Sequence, residues 1–193
     1  VRIAGVDEVG RGALFGPVVA AAVVVDDDRA AALAAAGVRD SKRLSPKRRQ
    51  ALVPVIKTQA LDWAIAAATV AEIDQINILQ ASLLAMARAI AQLDPPPDRC
   101  DIDGNQPIPK LRLPQQTLVG GDRTSIAIAA ASILAKVWRD DLILKLAQDY
   151  PAYDLAANKG YGTAKHMAAL REHGPSPHHR RSFGPCQQLP LPL

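Results

Sequence analysis

Two adjacent acids, Asp7 and Glu8, close an apolar run and are followed, after Val9, by Gly10-Arg11-Gly12. Carboxylates at the tip of a buried strand are costly unless positive charge sits on them. A loop with two glycines lets a phosphate or another backbone come close. Two further acids stand beside glycine turns, Asp103 in Asp103-Gly104-Asn105 and Asp122 in Gly120-Gly121-Asp122. If the segments carrying them end side by side, four carboxylates converge. Such a group either takes up protons or binds hard cations, and Mg²⁺ or Mn²⁺ prefers oxygen ligands of this kind. Two such ions, about 3.5–4 Å apart, can activate a water and stabilise the departing oxygen of a phosphodiester. Nuclease chemistry is therefore the reading these residues invite. Asp122 also has a plainer use, because an aspartate that caps a helix needs no metal.

The elements that must position these acids follow from periodicity. Residues 1–6 and 18–25 read as strands rich in β-branched residues, joined by a glycine-containing loop. The second is apolar almost throughout, which predicts burial on both faces. Asp26-Asp27-Asp28 is expected to cap an alanine-rich helix over 29–36 that stops at Gly37. Ser45-Pro46 opens another helix, to about residue 55. Ahead of it, Asp40-Ser41-Lys42 is either a turn or a grip on phosphate through a hydroxyl and an ammonium. A strand is expected over 61–69, then one helix over 70–94 with apolar residues at Ile73, Ile76, Leu79, Leu83 and Leu84. Short strands then lead to Asp103 and Gly120, and a long, largely buried helix covers 125–149. A regular strand sends Asp7 and Glu8 to opposite faces. A break or bulge at Glu8, or the use of its carbonyl, is therefore expected. Lys165 to Glu172 forms a short helix, and from Gly184 the chain is expected to be a loose tail.

Bulk composition narrows the class. At 193 residues the chain suits one α/β domain, 1–150, with a basic C-terminal appendage over 151–193. Its longest apolar runs, 18–25 and 126–135, are too short to span a bilayer, and no basic-then-apolar leader is read before the first strand. Two cysteines, Cys100 and Cys186, make neither a disulfide framework nor a zinc spacing. A cytoplasmic, reducing setting is expected. The net charge of +4 resides entirely in 158–193, where five Lys/Arg face one acid. A second basic cluster, 39–49, holds six Lys/Arg and one acid. Two basic patches on a neutral body point to a polyanionic partner. The four histidines, His166, His173, His178 and His179, match no standard metal spacing and are expected to be solvated beside a phosphate backbone.

The opening Gly5-Val6-Asp7-Glu8-Val9-Gly10-Arg11-Gly12 resembles the signature of the type 2 ribonucleases H, in particular bacterial ribonuclease HII. Other segments are similar to motifs of that family in the same order: Gly16-Pro17-Val18-Val19, Asp40-Ser41-Lys42, Asp103-Gly104-Asn105, Gly121-Asp122, Ala130 to Val137, Arg139-Asp140, Asn158 to Thr163 and Arg180-Arg181-Ser182-Phe183. The resemblance implies a ribonuclease H-like mixed five-stranded sheet flanked by helices, with a small helical C-terminal appendage. It implies endonucleolytic cleavage of RNA in RNA–DNA hybrids and at single ribonucleotides in duplex DNA, by a monomer dependent on Mn²⁺ or Mg²⁺. By the same resemblance Asp7, Glu8, Asp103 and Asp122 hold the metal. Gly10, Arg11 and Gly12 sense the ribose 2′-hydroxyl from the backbone. Tyr161 stacks on the sugar past the RNA–DNA junction, and Ser41, Lys42, Arg180 and Arg181 contact phosphate.

Ala13-Leu14-Phe15 stands where the family has Pro-Leu-Ala, a change expected to alter packing only. Asp101 intrudes where the family's strand is usually apolar; it is either a charge supporting the metal acids from behind or, the favoured reading, exposed at a sheet edge. Two other classes remain: a non-catalytic nucleic-acid-binding module, and a DNA-directed nuclease on the same fold. An intact set of four acids argues against the first. A loop built to sense a 2′-hydroxyl argues against the second.

Overall fold

A computed structural model describes residues 1–187 of the chain, and 188–193, the last part of the proline-rich tail, lie outside it. Its centre is a five-stranded sheet of order β3-β2-β1-β4-β5. The strands are β1 (Ile3–Val9), β2 (Val18–Val25), β3 (Asp62–Ala68), β4 (Arg99–Asp103) and β5 (Gln115–Leu118). β2 runs antiparallel to both β1 and β3, whereas β4 is parallel to β1 and β5 to β4. The carboxyl ends of β1, β4 and β5 therefore lie at one end of the sheet, where ligands bind in open α/β folds.

β2 is buried at all eight positions, and its alternation assigns each face to one core. Val18, Ala20, Ala22 and Val24 pack with α4 (Ile78–Ile90) on one side. Val19, Ala21, Val23 and Val25 pack with α2 (Pro46–Gln59) and α5 (Ile126–Ala147) on the other. Burial on both faces explains why the strand has no polar residue. α5 lies against β1 so closely that a Cβ on Gly5 would fall onto the backbone of Ala127 and Ile128. Only glycine permits that approach.

Helix starts follow the caps in the sequence. Asp26 accepts from Arg29 N ahead of α1 (Asp27–Ala35), and Ser45 accepts from Arg48 N ahead of α2, with Pro46 at the first helical position. α2 runs through Pro54 to Gln59, beyond the expected stop, with Leu52 and Ile56 buried on either side of the proline. The expected single helix over 70–94 is two, α3 (Val70–Ile76) and α4. They part at Asn77, whose φ of 69° breaks the helix while its side chain caps α4 by accepting from Gln80 N. An apolar spacing that continues across the break hid it from periodicity.

After α5 the chain forms α6 (Leu155–Asn158) and α7 (Ala164–His173), the latter capped by Thr163. It ends, among the described residues, in α8 (Gly184–Gln187), where a loose tail was expected. This segment shares a third apolar cluster with the body: Leu14, Phe15 and Ile143 pack with Tyr153, Leu155, Leu170 and Cys186. The connection between β1 and β2 is thereby held by the C-terminal residues.

Candidate active site at the strand tips

β1 remains regular past the two acids, with Glu8 opposite Ala20 and Val9 opposite Val19. The break expected at Glu8 is absent. Asp7 consequently faces α5, and Glu8 faces the α4 side, where it lines a pocket with Ser82, Leu83, Met86, Asp103, Asn105 and Gln106. Because β1 and β4 end together, Asp103 lies close to both. Burial raises the Asp7 pKa well above its ordinary value, and the charges of Glu8 and Asp103 raise it further. Glu8 is also raised, chiefly by burial and then by Asp103, while Arg11 opposes the shift.

Each acid is held by a definite partner. Asp7 Oδ1 accepts from Glu8 N at 2.7 Å. The Ser132 hydroxyl of α5 acts to lower the Asp7 pKa against burial and the neighbouring charges, and lies 2.7 Å from the Ser41 hydroxyl. Glu8 Oε1 lies 3.5 Å from Arg11 Nη1. Asp103 Oδ1 accepts from Gly121 N at 2.7 Å, which ties β4 to the turn carrying Asp122. Asp122 is buried and meets Lys42 Nζ at 3.4 Å. The Lys42 pKa is raised by Asp122 and Asp7 against burial, so the ammonium belongs to the same cluster. As the side chains stand, no three His, Cys, Asp or Glu among the described residues form a ready-made coordination sphere. Glu8 is turned towards Arg11 and Asp122 towards Lys42.

Asp122 does not cap α5. Ser125 does, accepting from Ile128 N, while Asp122 sits in a short 3₁₀ turn, Gly121–Arg123. Its capping use is thereby removed. Asp101 is not at an exposed edge: β4 is interior to the sheet, and Asp101 is buried with Arg99 Nε at 2.7 Å. Ser41 is buried on Ser132 and does not present its hydroxyl to a phosphate, although Lys42 beside it has a largely exposed side chain.

The basic residues divide. Arg181 is exposed, but Arg180 is fully buried and contacts no phosphate from the surface. Its Nε donates to Gly16 O, Nη1 to Arg11 O and Nη2 to Gly10 O, at 2.9, 2.9 and 2.6 Å. Arg139, also fully buried, donates to the carbonyls of Pro17, Lys159 and Phe15. A Cβ on Gly10, whose φ is +91°, would run into the Arg139 guanidinium. Sequence reasoning gave Arg139 no role of its own; its place in the segment Arg139-Asp140, similar to a family motif, was the available signal. The half-buried Tyr161 ring has Arg139 Cζ 5.5 Å and Lys136 Nζ 5.7 Å from its centroid, and Lys136 also pairs with Asp140.

Two of the four histidines are not solvated. His166 and His179 are buried with their Nε2 atoms 2.9 Å apart. Ser176 N donates to His179 Nδ1, so His179 carries its proton on Nε2 and passes the hydrogen bond to His166 Nε2. His166 Nδ1 then donates to Tyr161 O. Both rings are neutral, and burial pushes the His179 pKa down to about 3.

Carboxylates at the carboxyl ends of a mixed sheet flanked by helices define a ribonuclease H-like α/β protein. A family model described as ribonuclease HII matches residues 4–186. Ribonuclease HII of Acaryochloris marina (strain MBIC 11017) is 60% identical over 191 residues, covering 99% of this chain and 96% of that protein. The crystal structure of ribonuclease H2 from Pyrococcus horikoshii OT3 matches with a TM-score of 0.84 at 28% identity, covering 97% and 96% of the two chains. Bst ribonuclease HIII in complex with Mn²⁺ matches with a TM-score of 0.79 at 20% identity, covering 97% and 68%, a likeness of fold alone. The chain belongs to the ribonuclease HII family. It is a ribonuclease H, a divalent-metal-dependent endonuclease acting on the RNA of RNA–DNA hybrids.

Proposed function

We propose that the protein hydrolyses phosphodiesters at ribonucleotides by two-ion catalysis, both in the RNA strand of hybrids and 5′ of ribonucleotides embedded in duplex DNA, leaving 5′-phosphate and 3′-hydroxyl ends. The observation that carries this reading is the buried Asp7 carboxylate, wedged at the strand tips beside Glu8 and Asp103. Only oxygen donors are present, which suits Mn²⁺ or Mg²⁺. When bound, two such ions would supply a nucleophile at neutral pH and stabilise the leaving oxygen. Asp7, Glu8, Asp103 and Asp122 hold the ions, with Glu8 and Asp122 exchanging their present partners, Arg11 and Lys42, for the metal.

The remaining residues orient the duplex. The Gly10-Arg11-Gly12 backbone meets the ribose 2′-hydroxyl, the group that separates RNA from DNA. Gly12 has nothing within 4 Å of where a Cβ would stand, which leaves that side of the loop open to a sugar. Tyr161 offers its ring to the deoxyribose past the junction, while Lys42 and Arg181 offer charge to the phosphates. A monomer in a reducing cytoplasm accompanies this reading. Both cysteines are buried free thiols, and among the described residues no helix is long and apolar enough to cross a membrane.

The test is incubation with Mn²⁺ or Mg²⁺ and three duplexes: all-DNA, RNA–DNA hybrid, and DNA with one embedded ribonucleotide. Cleavage of the last two only, with the embedded site cut on its 5′ side, is expected. Cleavage of all-DNA, or of the hybrid alone, would overturn the proposal.

A further inference from the structure

Arg139 and Arg180 are the two largest fully buried side chains of the described residues. A buried guanidinium ordinarily faces a carboxylate, yet the six hydrogen bonds of this pair all go to main-chain carbonyls. Five of the six carbonyls lie between β1 and β2, on Gly10, Arg11, Phe15, Gly16 and Pro17; the sixth is on Lys159, just ahead of Tyr161. The pair also costs the fold something: burial, then the Arg139 charge, pushes the Arg180 pKa down to about 9. A cation placed so expensively, with no acid to meet it, calls for a use in what it holds.

The peptide group supplies that use. In a trans peptide the C=O of one residue and the N–H of the next point in opposite directions. Drawing the carbonyls of Gly10 and Arg11 inward onto Arg180 therefore turns the amides of Arg11 and Gly12 outward. Neither amide donates an intramolecular hydrogen bond among the described residues. Consecutive outward amides form a small concave donor site suited to a hydroxyl or an anionic oxygen. The forked geometry matters as well as the charge, because an arginine holds three carbonyls in fixed directions and a lysine does not.

We propose that Arg180 is a positioning residue for ribonucleotide recognition, one that never touches the nucleic acid but sets the direction of the Arg11 and Gly12 amides by gathering the carbonyls of Gly10, Arg11 and Gly16. Arg139 braces the far side of the same loop and its contact with Lys159. The inference rests on the reading that this loop senses the 2′-hydroxyl, and it assigns the work of presentation to a side chain 170 positions away from Gly10.

The experiment has two arms, both in metal-free protein so that no cleavage intervenes. In the unmodified protein, exchange of the Arg11 and Gly12 amide hydrogens is followed with all-DNA duplex and with duplex carrying one ribonucleotide. Protection by the second only is expected; equal protection by both, or by neither, overturns the reading of the loop itself. In the second arm Arg180→Lys, which keeps a cation but loses the fork, is expected to abolish that differential protection. With metal restored, it is expected to lower kcat/KM at the embedded ribonucleotide by tenfold or more. Its affinity for all-DNA duplex and the salt slope of that affinity are expected to be unchanged. Normal protection in unmodified protein together with unchanged discrimination in Arg180→Lys would overturn the role of Arg180. So would a salt slope reduced by about one, which marks a direct phosphate contact. If Arg180→Lys fails to fold, Arg180→Gln, whose amide can reach fewer of the three carbonyls, replaces it: loss of the differential protection is expected, and its retention would overturn the role of Arg180.

Discussion

Replacing Asp7 by Asn should stabilise the metal-free protein while removing its response to metal. The carboxylate is buried, and its two negative neighbours, Glu8 and Asp103, add to the cost of ionising it. The amide is nearly isosteric, and its oxygen can still accept from Glu8 N. One uncompensated buried group costs about 1–3 kcal/mol. For a domain of this size that corresponds to a Tm gain of about 2–12 °C, at about 2–4 °C per kcal/mol. The pH dependence has a definite sign. Because the folded-state pKa is raised above 3.8, stability from this group is fully present below that value and lost as pH rises through the folded pKa. The advantage of Asp7→Asn is accordingly small near pH 4 and grows towards neutrality and above. Metal acts the other way: Mn²⁺ at a hundred times its Kd stabilises the parent by about 2.7 kcal/mol, and the variant by little. Thermal melts with EDTA and with Mn²⁺, at acid and neutral pH, measure all of this. A variant that melts lower than the parent in EDTA, or gains as much from Mn²⁺, would refute the reasoning.

Four further outcomes are expected. Lys42→Gln takes the ammonium from the buried Asp122 carboxylate, so metal-free stability should fall by about 1–3 kcal/mol, while duplex affinity falls and its salt slope drops by about one. Arg181→Ala should lower the salt slope similarly, and an unchanged slope would remove Arg181 from the phosphate path. Tyr161→Ala should impair cleavage at a lone ribonucleotide more than along a continuous hybrid; equal losses would argue against junction sensing. Acid should weaken the protein through His179: its folded pKa of about 3 lies below the ordinary 6.5, so the unfolded chain binds more protons between those values and stability falls as pH drops through that window. Urea denaturation at pH 7 and pH 5 of the parent and His179→Gln tests this, since the variant should lose that part of the acid sensitivity.

Strands, caps and the acids were readable because each leaves a local mark. The unbroken apolar run of β2 and Ser45-Pro46 ahead of α2 predict what the structure contains, and the turns after Glu8 and beside Asp103 and Asp122 predict that these acids stand at strand ends. The errors share a different cause. Asp101, Arg180, His166 and His179 were expected in contact with solvent because polar residues usually are. Their burial depends on partners far away in sequence: Arg180 meets Gly10, Arg11 and Gly16, and His179 meets His166. Nothing within a local window records that. The break at Asn77 was missed for the opposite reason, since apolar spacing continues through a residue whose backbone does not. The expected bulge at Glu8 came from assuming that two adjacent acids must reach one point from the same face. The parallel ends of β1 and β4 instead bring Asp103 near both.

The claim that these four acids form one metal site is tested most directly by anomalous diffraction from crystals soaked in Mn²⁺. Manganese peaks between the tips of β1, β4 and β5, ligated by Asp7, Glu8, Asp103 and Asp122 with Lys42 and Arg11 displaced from their acids, are the expected result. Manganese bound only elsewhere, such as at Asp26 to Asp28, with the Glu8–Arg11 and Asp122–Lys42 pairs intact, would contradict it.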